Sequence, residues 1–253
     1  FFNLKKSSWM LKVLKSGFFT SVQDMGRYHY RHMGVPISGV MDYRAQNKAN
    51  FLLENPHQSA VLEITMTGPT LLFQEDTFVA LSGADLSATL NNQPINNYQV
   101  HQVSKGDIIS YGRLESGFRA YLAVKGGFKS ESVLNSRSQY IPITKHNCLV
   151  EGDELSYEET KVFGPKITEI KIDTYFEERE LKVTKAPEFD LLSEVQRQQL
   201  LENEFCVAKE NNRMAYQLEE VIASERVSML TSATIPGTVQ LTPAGKLIVL
   251  MKD

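Results

Sequence analysis

Along most of the chain, apolar and β-branched positions alternate with polar ones in short runs separated by Gly, Asn, Asp or Pro. Such period-two patterning predicts strands with one face turned to a core. In the first half the runs are Leu11 to Leu14, Ala60 to Thr65, Thr70 to Phe73, Phe78 to Leu81, Tyr98 to Val103, Asp107 to Tyr111 and Phe118 to Val124. In the second half they are Ile167 to Ile172, Glu180 to Val183, Phe205 to Ala208, Val227 to Leu230, Thr238 to Leu241 and Lys246 to Met251. Turn chemistry falls between them, at Asn91-Asn92, Lys105-Gly106-Asp107, Gly126-Gly127, Glu151-Gly152-Asp153 and Pro243-Ala244-Gly245. This is the pattern of a meander of hairpins.

Two segments carry a helical period instead. Asp42 to Leu53 places Ala45, Ala49, Leu52 and Leu53 on one face, and Pro56 ends it by disfavouring helix at the residue before. Ser193 and Gln196 form a capping box ahead of a polar helix from Glu194 to Asn203, with Leu200 and Leu201 expected as its buried contacts. The expected fold is mainly β, with packed sheets or partly closed barrels in two lobes. The seam is expected at Thr160 to Lys166, where Phe163-Gly164-Pro165 interrupts the pattern.

The 253 residues allow one large domain or two, and 42% hydrophobic with 23% charged residues is globular composition. A formal charge of −3 lacks the basic excess of a nucleic-acid partner. Wholly apolar runs such as Leu247 to Met251 fall far short of the ~20 residues of a membrane span, so no membrane partner is expected. Two cysteines, Cys148 and Cys206, without a disulfide pattern fit a reducing cytoplasm. The first methionine is Met10, so residues 1–9 are expected to be a non-native extension, 10–160 the N-terminal lobe and 161–253 the C-terminal lobe.

No G-x-x-x-x-G-K-[ST] phosphate loop, G-x-S-x-G elbow or H-E-x-x-H zinc helix occurs. His29 and His32 lack a third ligand, so no metal site is expected. The densest polar cluster runs from Thr20 to Asp42. Gln23, Asp24 and Arg27 offer an amide, a carboxylate and a guanidinium around Gly26, a set able to grip a carboxylate or phosphate. Pro36 and Gly39 could fix Ser38 just before a helix whose N-terminal amides attract anions. Equally, Asp24 and Arg27 could pair structurally while Ser38 or Asp42 caps the helix. Arg137, between Ser136 and Ser138, could bind an oxyanion through its planar fork or tie its loop to backbone carbonyls. Asn212-Arg213 reads as a hairpin corner, and Gln240 lies on a β-branched strand where burial would demand partners.

Taken in order, several segments resemble one family. They are Val22-Gln23-Asp24 with Gly26-Arg27, Gly34 with Pro36 and Ser38-Gly39, Asp42 with Ala45 and Ala49-Asn50, and Leu62-Glu63 with Gly68-Pro69. Gly83-Ala84, Arg119 to Val124 with Gly126-Gly127, Ser136-Arg137-Ser138, Gly164-Pro165, Asn212-Arg213-Met214 and Pro236 to Gln240 follow. The family is that of the 5-oxoprolinase C subunit, also called the KipI antagonist KipA or allophanate hydrolase subunit 2, of biotin-dependent carboxyltransferase-like proteins. The resemblance extends from Leu11 to Asp253.

It implies a cyclophilin-like β fold and a hydrolase that works in a complex. The A subunit of 5-oxoprolinase and a KipI-like B subunit would be the partners, and 5-oxo-L-proline would be converted to L-glutamate with ATP, accompanied by Mg and held here or on a partner. Asp24, Arg27, Asp42, Arg137 and Arg213 are the implied catalytic set, the arginines neutralising transition-state charge and a carboxylate serving as base. Gln23, Ser38, Gly39, Ser136, Ser138, Asn212 and Gln240 are the implied substrate contacts. Relatives imply two alternatives, a carboxyltransferase component using biotin on urea or another amide, and a non-catalytic antagonist of a KipI-like kinase inhibitor. The chain departs from the family at Asn212, where an aspartate is usual, in a shorter Tyr140 to Asp153 stretch, and in stopping before a Gln-Thr-Thr-Gly-Gly-Tyr-Pro segment. A truncated chain is therefore expected, which would leave it inactive alone.

Overall fold

The computed structural model describes residues 9–172, 181–223 and 234–253. Residues 9–172 belong to one compact unit and the described residues from 181 onward to a second. The first unit contains β1 (Trp9–Lys15), β2 (Phe19–Gln23), α1 (Tyr43–Leu52), β3 (Val61–Thr65), β4 (Thr70–Phe73) and β5 (Thr77–Asp85). It continues with β6 (Thr89–Leu90), β7 (Gln93–Pro94), β8 (Val100–Val103), β9 (Ile108–Ser110), β10 (Ser116–Val124) and β11 (Glu154–Tyr157). The second holds α2 (Glu194–Glu202), β12 (Val207–Asn211), β13 (Ala215–Val221), β14 (Val239–Leu241) and β15 (Lys246–Leu250).

The strands form three antiparallel sheets among the described residues, ordered β11-β1-β4-β9-β6-β7, β2-β3-β10-β5-β8 and β12-β13-β15-β14. The fold is mainly β, as the alternating runs predict. The middle strands of the five-stranded sheet are buried on both faces, and their period of two divides them between two cores. Leu62, Ile64, Val79, Leu81, Leu122 and Val124 pack with Val13, Leu71, Phe73 and Leu155 of the six-stranded sheet. The alternate residues Val61, Phe78, Ala80, Tyr121 and Ala123 meet Ala45, Ala49, Leu52 and Leu53 of α1. Ala45 and Ala49, two of these contacts, let the helix lie close on the strands.

Local chemistry sets the boundaries of these elements. Asp42 caps α1, with Oδ1 accepting from the amides of Arg44 (2.9 Å) and Ala45 (3.0 Å). The β6–β7 turn uses Asn91 and Asn92 at φ 51° and 64°, the left-handed pair that a two-residue hairpin requires. In α2 the expected capping box is present, but Leu201 is exposed rather than buried. Gln196 is the buried residue of α2, its Nε2 donating to the Ala223 carbonyl at 2.7 Å. The short helix is held by its cap and by polar side chains, with Gln199 Oε1 also accepting from Ala223 N at 3.3 Å and Arg197 Nη2 donating to the Asp190 carbonyl at 3.0 Å, rather than by an apolar face.

Two strand expectations differ from the structure and a third lies outside the described residues. Ile167 to Ile172 makes a single bridge, Gln99 to Glu169, flanked by two backbone bonds to the edge strand region at Tyr98 and Val100. The stretch 161–172, where the sequence reading opens its second lobe, lies with the first unit, and Phe163 meets Phe78 edge-on at 5.4 Å. Leu181 to Val183 is irregular, while Glu180 and Val227 to Leu230 fall outside the described residues. Among the described residues no helix is long and apolar enough to cross a membrane.

Leu122 is fully buried between the two sheets. Leu122→Ala is expected to cost about 2–5 kcal/mol, read as a lowered urea midpoint. The same change at exposed Leu201 should stay within about 0.5 kcal/mol.

Candidate functional site

The site grows from the end of β2. Val22 points into the core between sheets, so Ser21 and Gln23 take the opposite face, in register with Glu63 and Val61 of β3. That face is covered, and Gln23 is fully buried, with Nε2 donating to Ser21 Oγ (3.0 Å) and to the Gln139 carbonyl (3.2 Å). The loop holding Ser136, Arg137 and Ser138 is stitched along β2. Gln139 N donates to the Val22 carbonyl while Gln139 Oε1 accepts from Val22 N, both at 2.9 Å.

Asp24 leaves the strand into this loop with both carboxylate oxygens engaged. Oδ1 accepts from Gly26 N (2.8 Å), Ser136 Oγ (2.6 Å) and Ser138 Oγ (2.7 Å), and Oδ2 accepts from Arg137 N (2.6 Å). Ser138 Oγ also accepts from Asp24 N at 3.0 Å. Ser136 and Ser138, two of the expected substrate contacts, are fully buried, and their hydroxyls donate to the aspartate.

A second crossing lies beneath this anchor. Val40 N donates to the Asp24 carbonyl (2.9 Å), and Arg27 N to the Ile37 carbonyl (2.6 Å). Gly26 and Gly39 occupy the crossing at φ 98° and 89°. A Cβ on Gly39 would stand 2.8–2.9 Å from the backbone of Asp24, Met25 and Gly26, so glycine is required by space as well as by dihedral. Ser38, at φ 57°, is fully buried, and its Oγ has no hydrogen-bond partner among the described residues. Arg27 is wholly buried and donates from Nη2 to the Ser138 carbonyl, so it joins the two loops. Asp24 and Arg27 thus meet through the same serine loop, not through an ion pair with each other.

Asp42 occupies the amides at the start of α1 that an anion would need, so the sequence expectation of an anion pocket there gives way to a helix cap. Arg137 is half-buried and donates from Nη1 to the Ser130 carbonyl. It lines a cleft of about 680 Å³ with Gly26, Tyr28, His57, Lys129 and Asn135. In the second unit, Arg213 forms a two-pronged pair with Asp253, Nε to Oδ2 at 2.8 Å and Nη2 to Oδ1 at 3.1 Å. Asn212 Oδ1 accepts from Met214 N (2.7 Å) and Ala215 N (3.2 Å), so the amide supplies the acceptor a carboxylate would. Gln240 is exposed on β14 and needs no buried partner. Among the described residues no group of three or more His, Cys, Asp or Glu is placed to hold a metal ion.

Sequence reasoning missed one buried polar cluster. Glu63, 1% exposed, accepts at Oε2 from Met41 N (2.7 Å) and Tyr121 Oη (3.0 Å), with Arg119 Nε 3.7 Å from Oε1. Tyr121 Oη in turn accepts from Asp42 N at 2.8 Å. An acidic residue inside the apolar run Val61-Leu62-Glu63-Ile64 was the available signal, because a buried carboxylate demands donors. Burial, reinforced by the Glu63 charge, holds the Tyr121 phenol well above its ordinary range.

The family profile described as carboxyltransferase domain, subdomain A and B, matches residues 33–253. The chain belongs to this family. The C subunit of 5-oxoprolinase from Escherichia coli (strain K12) is 28% identical over 250 residues, covering 96% of this chain and 80% of that protein. Urea amidolyase of Lachancea kluyveri is 39% identical over 130 residues, covering 51% of this chain and 7% of that protein. The crystal structure of Kluyveromyces lactis urea carboxylase superposes with a TM-score of 0.81 at 27% identity, over 97% of this chain and 24% of that one. The chain therefore spans only a small part of the urea enzymes it matches and most of the oxoprolinase component.

Gly39→Ala should destabilise by at least about 2 kcal/mol in chemical denaturation. Gly34→Ala, at φ 76° but with open space around it, should cost only the left-handed penalty of about 1–2 kcal/mol. A second expectation concerns Tyr121. Its phenol ionises at higher pH in the folded protein than its ordinary value of 10.0. The contribution is complete below that value and is lost as the pH rises beyond it. Tyr121→Phe should reduce the alkaline fall in stability, while costing about 1–3 kcal/mol at neutral pH because Asp42 N loses an acceptor and the buried Glu63 carboxylate a donor. Denaturant titrations on both sides of pH 10 check both effects.

Proposed function

We propose that the chain is the C subunit of an ATP-dependent 5-oxoprolinase, acting with the A subunit and a KipI-like B subunit to hydrolyse 5-oxo-L-proline to L-glutamate. The observation carrying this reading is the co-linear match to the Escherichia coli protein, which takes in 96% of this chain and 80% of that one. The urea amidolyase match stops at 51% of this chain. The cytoplasm is the compartment that goes with it, in keeping with two free cysteines.

In this reading the residues of the first unit divide into anchors and a working surface. Asp24, with its oxygens taken up by four donors, fixes the loops together with Ser136, Ser138 and Arg27. Arg137 and Lys129 face the cleft and supply positive charge where a small amide with a carboxylate could be held. Catalysis in such a site rests on orientation and on charge placed before the substrate arrives.

The residues present do not fit ATP. Arg27 and Arg213 are taken up by protein acceptors, Arg137 and Lys129 alone offer positive charge to the cleft, too little for a triphosphate, and no G-x-x-x-x-G-K-[ST] phosphate loop occurs in the sequence. The proposal assigns ATP and Mg to a partner protein.

A second reading, carboxyl transfer from biotin to urea or another amide, is favoured by the superposition on urea carboxylase over 97% of the chain. One assay separates them. With the A and B subunits supplied, ATP hydrolysis should depend on 5-oxo-L-proline, yield glutamate, and stop when this chain is omitted. Carboxylated biotin with urea should give no carboxyl transfer. A complete set without oxoproline-dependent turnover overturns the first reading, and transfer from carboxybiotin establishes the second.

A further inference from the structure

We infer that the cleft beside the Asp24 loop is a carboxylate-binding site on this chain itself, with the Arg137 guanidinium as its recognition group. The inference rests on the oxoprolinase reading only for its choice of probe. Its physical basis lies in how the charges around the cleft are arranged.

The cleft measures about 680 Å³, within the ~300–1,000 Å³ usual for small-molecule sites. Three charged side chains line it: Asp24, Lys129 and Arg137. Asp24 would repel an anion if its charge were open to the cleft. It is 7% exposed, however, and its oxygens accept from Gly26, Ser136, Arg137 and Ser138. The charges that remain open are therefore cationic.

Arg137 is preorganised at both ends. Its backbone amide is fixed on Asp24 Oδ2, and Nη1 donates to the Ser130 carbonyl. Nε and Nη2 have no protein partner among the described residues, so part of a planar fork stays available at the cleft wall. A guanidinium held this way loses little rotamer freedom when it pairs with a carboxylate. Lys129 is a weaker second cation, because its Nζ already donates to the Gly126 carbonyl and lies 3.4 Å from Glu158. Tyr28 gives the cleft an aromatic wall, 47% exposed, against which a small ring can lie. The combination selects a compact, partly apolar molecule with one carboxylate, and it disfavours the corresponding neutral amide.

The test is a calorimetric or NMR titration of the full chain, without its partner proteins, using 5-oxo-L-proline and its neutral carboxamide. The acid should bind saturably, at least about tenfold tighter than the carboxamide, as expected for one charge-assisted pair. Raised salt should weaken the acid and leave the carboxamide unaffected. Arg137→Gln should lose about the same tenfold for the acid only, and Arg137→Lys should recover part of it. Equal affinity for acid and carboxamide, absence of saturable binding, or an Arg137→Gln protein that binds the acid like wild type each overturns the inference. If Arg137→Gln does not fold, the acid and carboxamide comparison on the wild-type chain still decides. Binding to the isolated chain and turnover by the complex are separate readouts, so failure of one is distinguishable from failure of the other.

Discussion

A carboxylate buried at the end of a strand must find donors for both oxygens, and at Asp24 they come from separate stretches of chain. Its own loop supplies Gly26 N, the segment 136–138 supplies two hydroxyls and an amide, and its carbonyl accepts from Val40 N. Leaving one such group unsatisfied in a buried site costs about 1–3 kcal/mol, and more for a charge. The three segments consequently hold one geometry relative to one another. Gly26 and Gly39 make that geometry possible by letting two backbones cross where no Cβ fits.

The sheet beneath explains why the anchor sits where it does. β2 is an edge strand of the five-stranded sheet, and its outer edge is met by Gln139 and Leu149 through backbone bonds to Val22 and Thr20. A strand edge closed by a loop gives that loop a fixed register. On the neighbouring strands, Glu63 and Tyr121 perform a similar task for 41–42, so the chain entering α1 is tied to the sheet by a second buried carboxylate. One buried acid fixes each side of the loop before the helix.

Much of this was legible in the sequence where burial and hydrophobicity coincide. The alternating runs Ala60 to Thr65, Thr70 to Phe73 and Phe118 to Val124 become β3, β4 and β10, and the face Ala45, Ala49, Leu52, Leu53 becomes the contact of α1. Legibility failed where polar residues are buried. Phe19–Gln23 is a strand whose Ser21 and Gln23 are hidden by hydrogen bonding rather than by apolar packing, so it reads as a polar loop. The same cause concealed Glu63. The opposite error arose at Leu201, whose exposure depends on neighbours that periodicity does not reveal. The sequence brought Gln23, Asp24 and Arg27 forward as one polar cluster and Ser136, Arg137 and Ser138 as another, but it could neither join the two nor divide anchors from working groups. That division depends on which lone pairs and N–H groups the fold has already used.

The division also says why so polar a cluster persists at a buried position. An apolar replacement for Asp24 and its serines could match it in stability, since buried charges often gain little over well-packed hydrocarbon. It could not fix a direction, because dispersion contacts are nearly isotropic while four donors on one carboxylate define an orientation. Arg137 inherits that orientation through its amide, and Ser130 fixes the far end of its side chain. The aspartate thus fixes where the Arg137 guanidinium stands at the cleft wall, a charge held in place by the fold rather than by a ligand.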